Sequence, residues 1–408
     1  RDVLGSRGLG DVYKRQIFDK QSIIFHVIRI CTCVHEAGEN KIPAYKQIHE
    51  TESSRKERNS NLELYRIIVM LLIVAHHYVV NSGLMSVMKE EPLHIQSIFL
   101  YLFGMWGKTG INCFVMITGY FMCKSHISLR KFMKLLFEIY FYNLIITGTF
   151  LLTGYCSPSF STVFYALVPI QSFGVNFVAC FVVFYLLIPF LNLLIQTMNS
   201  KLHLRLILLC LLVYSVIGTI PKITLGVNYV SWFVVLYFIA SYIRLYRFPI
   251  KISNRNWGWL TLLSILISMA SVVFMAWLST VFVNKNIPVF WFVADSNHIM
   301  ALVTALCSFM FFKDLNIRYS KVINLIGAST FGVLLIHANS DIMRQWLWQD
   351  ILNNVGQYGT NTMVLHAILS VIAIFVICIL VDMLRMRFVE KPLFNKLSLI
   401  HISEPTRP

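Results

Sequence analysis

Charged residues are scarce in this chain of 408 residues: they make up 13% of it, against 57% hydrophobic residues, and the mean hydropathy is +0.67. An ordinary soluble domain holds roughly 25% charged residues. The shortage excludes a water-soluble globular domain. Because a chain that crosses lipid must satisfy its backbone polar groups internally, the sequence is predicted to be an all-α integral membrane protein.

The signatures of several enzyme classes are also missing. The sequence contains no Gly-x-Ser-x-Gly turn, no phosphate-binding P-loop and no His-Glu-x-x-His zinc pair. Its nine cysteines fall mostly one per apolar segment, which suits packing better than a disulfide framework. Cys31, Cys33 and His35 form a short cluster with no second half, so no metal site is predicted.

Acidic residues are few as well: 19 Asp and Glu face 35 Lys and Arg, and the formal net charge is +16. In a membrane chain such an excess is typical of cytoplasmic loops that face anionic lipid. We therefore expect membrane lipid as a partner and no nucleic acid.

Both ends of the chain differ from the middle. Residues 1–16 and 397–408 resemble translated adapter sequence. Residues 17–57 contain one apolar patch that is too short and too interrupted to cross about 30 Å of hydrocarbon. We expect residues 1–57 to be a poorly ordered, partly non-native extension, 58–396 to be the membrane domain, and 397–408 to be a non-native tail.

Apolar segments recur regularly from residue 62 onward, and most have about the 20 residues that a membrane-spanning helix needs. They lie at residues 62–81, 96–121, 130–152, 176–196, 203–220, 230–246, 257–282, 296–312, 321–338 and 362–386. The predicted fold is a bundle of about ten transmembrane helices.

The distribution of Lys and Arg predicts the orientation of the bundle. With a cytoplasmic N-terminus, the inside segments hold 21 of these residues and the outside loops hold four, namely Lys89, Lys222, Lys285 and Arg344. Positive residues concentrate on the cytoplasmic side of membrane proteins. The asymmetry predicts that both termini are cytoplasmic in a multi-pass protein of the plasma membrane.

The first span carries two ionisable residues, Arg66 and His77, in the apolar run LYRIIVMLLIVAHHYVV. A charged group near the bilayer centre costs at least about 3 kcal/mol, so such residues indicate a functional site. Their separation is about three helical turns, which places both on nearly the same face, whereas His76 points away from it. Taken singly, Arg66 is also consistent with snorkelling to the headgroups, and His77 with an ordinary hydrogen bond between helices.

His337 and Lys108 are two further ionisable residues within predicted spans. His77 and His337 each lie about 15 residues from the cytoplasmic end of spans that run in the same direction, or roughly 22 Å deep, so they are expected to face one cavity. Lys108 interrupts the second span in GMWGKTGIN, where glycines permit a break or a close helix contact; proximity to a bend is the alternative interpretation. Glu138, one turn beyond Lys134, is expected to form an ion pair with it.

Several stretches together resemble the acyltransferase family 3 membrane proteins. The run NSNLELYRIIVMLLIVAHHY carries the family pattern of an arginine, ten residues and a histidine at Arg66 and His77. GKTGINCFVMITGYFM is similar to the glycine-rich second helix. LRKFMKLL resembles the basic start of the third helix, with Arg130 kept and Lys131 and Lys134 in place of arginines. FVVFYLLIPFLNLLI, STFGVLLIH and RMRFVEKPL resemble segments of the polysaccharide O-acetyltransferase branch.

The resemblance covers about residues 58–396 and implies a membrane acyltransferase. Such an enzyme moves an acyl group, most often acetyl from acetyl-CoA in the cytoplasm, to a hydroxyl of a saccharide or lipid-linked glycan at a bacterial cell membrane. His77 and His337 are the implied catalytic residues, and a histidine acts there as a general base or as a nucleophile. The residues implied for binding acyl-CoA are Arg66, Lys108, Arg130, Lys131 and Lys134. No metal or prosthetic group is expected.

Two other functions remain open. A transporter or flippase for a glycan or small metabolite would also suit ten helices with an intramembrane Lys and His, although the halves show no convincing symmetry. A non-catalytic scaffold gives no reason to keep Arg66, His77 and Lys108 in apolar helices. Release of CoA distinguishes the acyltransferase from both alternatives, since neither a transporter nor a scaffold should produce it. The sequence does not name the acceptor, whose choice we expect the outer loops 155–175 and 338–361 to shape.

Overall fold

The computed structural model describes residues 59–395 except residues 126, 169–175, 222, 224–226, 247–249 and 283–284. The predicted N-terminal extension, the predicted C-terminal tail and the Cys31–His35 cluster lie outside the described residues. Within the described residues the secondary structure is helical, with no β-strand. The prediction of an all-α membrane protein is confirmed.

The helices follow the apolar segments of the sequence closely. The first half of the bundle contains α1 (Ser60–Val80), α2 (Leu84–Glu90), α3 (Ile95–Gly104), α4 (Gly107–Met122), α5 (Leu129–Leu152), α6 (Phe160–Leu167), α7 (Phe177–Thr197) and α8 (Ser200–Cys210). The second half contains α9 (Tyr229–Tyr246), α10 (Asn254–Val281), α11 (Ile299–Lys313), α12 (Lys321–Ala328), α13 (Thr330–His337), α14 (Asp341–Gln345), α15 (Asn354–Gln357) and α16 (Met363–Arg385). Helices α8, α14 and α16 continue into π-helical turns at Leu211–Ile217, Trp346–Ile351 and Met386–Glu390.

Eight helical stretches of the described chain are long and apolar enough to cross a membrane, or up to nine if one bent pair counts as a span. The predicted number of ten is therefore not confirmed. Helix α11 is apolar but has only 15 residues, short of the roughly 20 that a straight span requires. The bent pair, Lys321–His337 with Asp341–Gln357, turns by 93° directly after His337.

Helix α1 lies at the centre of the bundle and packs against α3, α4, α11, α12, α13 and α16. Its contact with α3 and α4 depends on small residues, since a Cβ atom on Gly104 or Gly110 would lie 2.7 Å from Val79 or Ile73. A Cβ atom on Gly107 would collide with the His76 ring. Small residues let membrane helices approach closely. The glycines of GMWGKTG therefore bring Lys108 to the histidine end of α1.

Helix α13, which carries His337, packs against α1, α5 and α16. Gly332 allows this approach, because a Cβ atom there would overlap the carboxylate of Asp382 on α16. That carboxylate is fully buried, accepts a hydrogen bond from the Tyr142 hydroxyl at 2.7 Å and pairs with Arg385 at 2.9 Å. The close contact of Gly332 with this buried carboxylate, which Tyr142 on α5 and Arg385 on α16 hold in place, thus fixes the height at which His337 faces α1.

Candidate active site

A cavity of about 730 Å³ lies between α1, α4, α5 and α13, with α6 and the segment after His337 along its edge. Its lining combines apolar residues with many polar ones. The polar side chains include His76, His77, Asn81, Lys108, Asn143, Asn176, Tyr229, Asn339, Asp341 and Arg344. Ionisable groups that face an internal cavity of a membrane bundle are candidates for function.

His77 and His337 form one unit beside this cavity. Their ring centroids lie 5.0 Å apart, and His77 Nδ1 lies 2.9 Å from His337 Nε2. His337 is fully buried, whereas His77 is half-buried and lines the cavity. The equal depth calculated from the sequence thus corresponds to a direct hydrogen bond, and His77 is the member of the pair that a bound molecule can reach.

The hydrogen-bond partners assign the tautomers of this pair. His337 Nδ1 lies 2.6 Å from the backbone oxygen of Val333, and a carbonyl can only accept, so His337 carries its proton on Nδ1. In the neutral ring His337 Nε2 is then an acceptor, and His77 Nδ1 donates to it. His77 Nε2 keeps its lone pair, which is the form required of a general base or nucleophile.

His76 lies in the same cavity, contrary to the expectation that it points away from the shared site. Its Nδ1 donates to the backbone oxygen of Gly104 at 2.5 Å, which leaves a lone pair on Nε2 as in His77. The two rings lie 5.6 Å apart between centroids. The sequence cannot show this position, because it depends on the fit of the ring against Gly107 in the neighbouring helix.

Lys108 reaches the cavity from the first turn of α4. Its ammonium donates to the Tyr229 hydroxyl at 2.5 Å and lies 5.1 Å from the centre of that ring. No carboxylate of the described residues forms an ion pair with it. A cation inside a bundle with only a neutral partner is well placed to meet negative charge on a bound molecule or reacting group.

The other predicted donor-binding residues lie outside the lining of this cavity. Each makes polar contacts with the protein: Arg66 with Glu63 at 3.3 Å, Arg130 with the Phe394 backbone oxygen at 3.2 Å, Lys131 with Ser125 at 3.2 Å, and Lys134 with Glu390 at 3.0 Å. The structure therefore separates Lys108, which it places beside the histidines, from these four basic residues.

The expected pair between Lys134 and Glu138 is replaced by a larger buried network around Arg385. Arg385 binds Glu138 at 3.2 Å, Asp382 at 2.9 Å and Glu390 at 2.7 Å, and Glu390 also binds Lys134. The prediction was wrong because a buried guanidinium with several donors competes better for Glu138 than an adjacent, half-exposed ammonium does.

Sequence reasoning missed several other polar groups of the cavity, among them Tyr229, Asn339 and Arg344. Arg344 donates to Asp341 at 2.7 Å, while its Nε atom and Asn339 Oδ1 have no partner among the described residues. A signal for Arg344 was present in the sequence, since it is one of four Lys or Arg on the predicted outer side and follows His337 by seven residues.

One comparison with known proteins gives a family. Residues 59–383 match a family model for acyltransferase family 3, described as an acyltransferase domain. The match spans most of the described chain and contains both histidines, Lys108 and Arg344. Neither a curated protein nor a solved structure gives a match.

Proposed function

We propose that this chain, which belongs to the acyltransferase family 3 membrane proteins, transfers an acetyl group from acetyl-CoA to a hydroxyl of a saccharide or lipid-linked glycan. Membership establishes a membrane acyltransferase; the acyl group, its donor and its acceptor are the proposal. We place the enzyme in a bacterial plasma membrane with both termini in the cytoplasm, following the distribution of Lys and Arg.

The histidine pair carries the proposal. A proton taken up at His77 Nε2 creates a positive ring whose Nδ1–H already donates to His337 Nε2, and His337 in turn donates to the Val333 backbone oxygen. The chain of hydrogen bonds orients His77 and stabilises the charge that it gains in the transition state. Acyl transfer to a hydroxyl requires a base, and the lone pair on His77 Nε2 supplies it.

Two routes use the same atoms. In direct transfer, His77 Nε2 removes the hydroxyl proton while the hydroxyl oxygen attacks the thioester carbon. The carbon–sulfur bond breaks, and the sulfur takes a proton to become CoA thiol. In the covalent route, His77 Nε2 attacks the thioester carbon, CoA leaves, and the acceptor oxygen then takes the acyl group from the imidazole. His76 is placed to accept the hydroxyl proton in that second step.

Lys108 contributes at the reacting end of the donor. Both routes place negative charge on the former carbonyl oxygen when the carbon becomes tetrahedral. The Lys108 ammonium, held by Tyr229 in the same cavity, is the cation that we assign to this oxygen. Its predicted role in binding acyl-CoA thus becomes contact with the thioester rather than with the phosphates.

The phosphates of CoA belong at the other end of α1. A pantetheine chain without charge separates them from the thioester, so they cannot lie beside the histidines when the thioester does. We assign them to Arg66, Arg130, Lys131 and Lys134. Because these residues already contact protein groups, donor binding has to exchange some of those contacts for phosphate.

The test has two measurements. Purified protein in detergent with acetyl-CoA should release CoA thiol, and the release should be lost in His77→Ala. Surface glycan from cells that produce the wild-type protein should carry an acetyl mass increment that is missing from cells with His77→Ala. Release that persists in His77→Ala, or no release by the wild type, would contradict the proposal; an increment of another mass would replace acetyl by that acyl group.

A further inference from the structure

We infer that the acceptor carries a carboxylate or phosphate group near the hydroxyl that is acylated, and that Arg344 binds this group. The inference rests on the proposed function and names the acceptor class that the cavity favours.

The position of Arg344 follows from the break after His337. Helix α13 ends at His337, and the 93° turn between Lys321–His337 and Asp341–Gln357 directs the next helix across the cavity instead of out of the bundle. Arg344, on the last turn of α14, therefore lines the same cavity as His77. A molecule whose hydroxyl contacts His77 therefore occupies a cavity that this guanidinium also lines.

The guanidinium is only partly satisfied. Its one ion-pair partner among the described residues is Asp341, which binds Nη1 at 2.7 Å. The Asp341 side chain is 96% exposed, and ion pairs at such positions contribute little. The Nε atom is enclosed by the protein and has no partner among the described residues. A guanidinium has a planar fork of donors that matches a carboxylate or phosphate, and about one third of this side chain is exposed to bind such a group.

The charge of the cavity favours the same class of ligand. Among the described residues that line it, Lys108 and Arg344 are the Lys and Arg side chains and Asp341 is the one carboxylate. A cleft lined by an excess of one sign concentrates ligands of the opposite sign. The phosphates of CoA do not supply that charge, because the uncharged pantetheine chain holds them away from the thioester. An acceptor anion does.

Asn339 adds a requirement that fits a sugar. Its amide nitrogen donates to the Leu335 backbone oxygen at 3.1 Å, while Oδ1 is enclosed by the protein and has no partner among the described residues. Because Asn339 lines the cavity, a rotation of its amide toward the ligand lets Oδ1 accept from a hydroxyl donor. Arg344 matches a negative group on the ligand and Asn339 matches a hydroxyl. An acidic or phosphorylated saccharide carries both groups.

The test uses unacetylated surface glycan from cells that carry His77→Ala. Purified wild-type protein and acetyl-CoA are given this glycan in three forms: native, with its carboxylates reduced to alcohols, and with its phosphates removed. We expect the native glycan to be acetylated and one of the two neutralised forms to lose at least about tenfold in kcat/KM, as the removal of a charge-assisted contact implies. The form that fails identifies the anion.

Variants then locate the contact. Arg344→Gln should raise the KM for native glycan about ten- to a hundred-fold. The KM of Arg344→Lys should lie between those of the wild type and Arg344→Gln. Asp341→Asn removes the competing carboxylate and should leave that KM unchanged or lower it. Lys89→Gln, an exposed cation on the predicted outer side and outside the cavity lining, is the matched control. If Arg344 only stabilises its loop through Asp341, both variants raise the KM alike.

The failures of the two proposals are distinguishable. Two results would contradict the proposal of an anionic acceptor and leave the acyltransferase proposal intact. The first is equal use of all three glycans. The second is use of none of them while CoA is still released in a His77-dependent manner. No CoA release dependent on His77 overturns the proposed function itself.

Discussion

The two ends of helix α1 hold similar charges in opposite surroundings. At the end that carries Arg66, basic side chains lie against carboxylates of the protein: Arg66 against Glu63, and Lys134 and Arg385 against Glu390. At the end that carries His77, the Lys108 ammonium has a neutral hydroxyl as its partner beside a polar cavity.

This difference separates charges that hold the bundle together from charges that serve a ligand. In a buried ion pair each charge compensates the other. Removing one partner leaves an uncompensated charge that destabilises the fold. A cation without a carboxylate in a cavity is costly until a ligand or transition state supplies the negative charge. Mutations in the ion-paired network around Arg385 should therefore affect stability, and mutations at the histidine end should affect turnover.

The largest expected effect is on turnover at the histidine end. His77→Ala removes the one imidazole that both reaches the cavity and donates to His337, so acyl transfer should fall by about 10²- to 10⁴-fold. The thermal unfolding temperature in detergent should stay close to that of the wild type. His94→Ala, an exposed histidine outside the cavity, is the matched control. Near wild-type turnover in His77→Ala together with an inactive His76→Ala would show that His76, and not His77, carries the chemistry.

The second effect should appear in stability at the opposite end. Arg385→Ala leaves the buried carboxylates of Glu138 and Asp382 without their cation, a change that costs about 3 to 5 kcal/mol in the free energy of unfolding. We expect a clearly lower unfolding temperature. Arg387→Ala, two residues further and exposed, should have no such effect. Equal unfolding temperatures for the two variants would show that the network does not hold the helices.

The third prediction tests whether Arg66 only stabilises the fold or also binds the acyl donor. Arg66→Ala and Arg130→Ala should each weaken acetyl-CoA binding about ten- to a hundred-fold, because each removes a charge-assisted phosphate contact worth about 1.5 to 3 kcal/mol. Glu63→Gln is the matched variant, since it removes the partner of Arg66 and leaves the guanidinium for phosphate. Its donor affinity should be unchanged or higher. A loss as large as that of Arg66→Ala would make Arg66 a structural residue.

The sequence predicts the histidine end better than the arginine end, and the reason is physical. Depth in a membrane helix follows from counting residues, so His77 and His337 are matched without a structure. Hydropathy also locates the helices, and each of the ten predicted segments overlaps at least one of them. Partners distant in sequence are harder to predict: the contact of Glu138 with Arg385 depends on how α5 packs beside α16, and local spacing favours Lys134 instead.

Breaks in helices also escape the sequence pattern. The segment 321–338 is continuous in hydropathy, yet it forms two helices and then turns by 93° after His337. That turn brings Arg344 and Asn339 to the cavity. The sequence predicts that their loop, 338–361, shapes the choice of acceptor, but it does not single out these two residues. The residues that we propose to contact the acceptor are therefore ones that the sequence leaves undetermined.

The smallest expected effect concerns His337, which does not reach the cavity lining and acts through His77. His337→Ala removes the acceptor for His77 Nδ1–H, a hydrogen bond worth about 1 to 1.5 kcal/mol, and should lower kcat about tenfold with little change in the KM for acetyl-CoA. His337→Gln offers an amide oxygen as the acceptor and should restore part of kcat, whereas a purely structural role gives no such recovery. A raised KM for acetyl-CoA at unchanged kcat would place His337 with the donor instead, and His77 would then act without the relay.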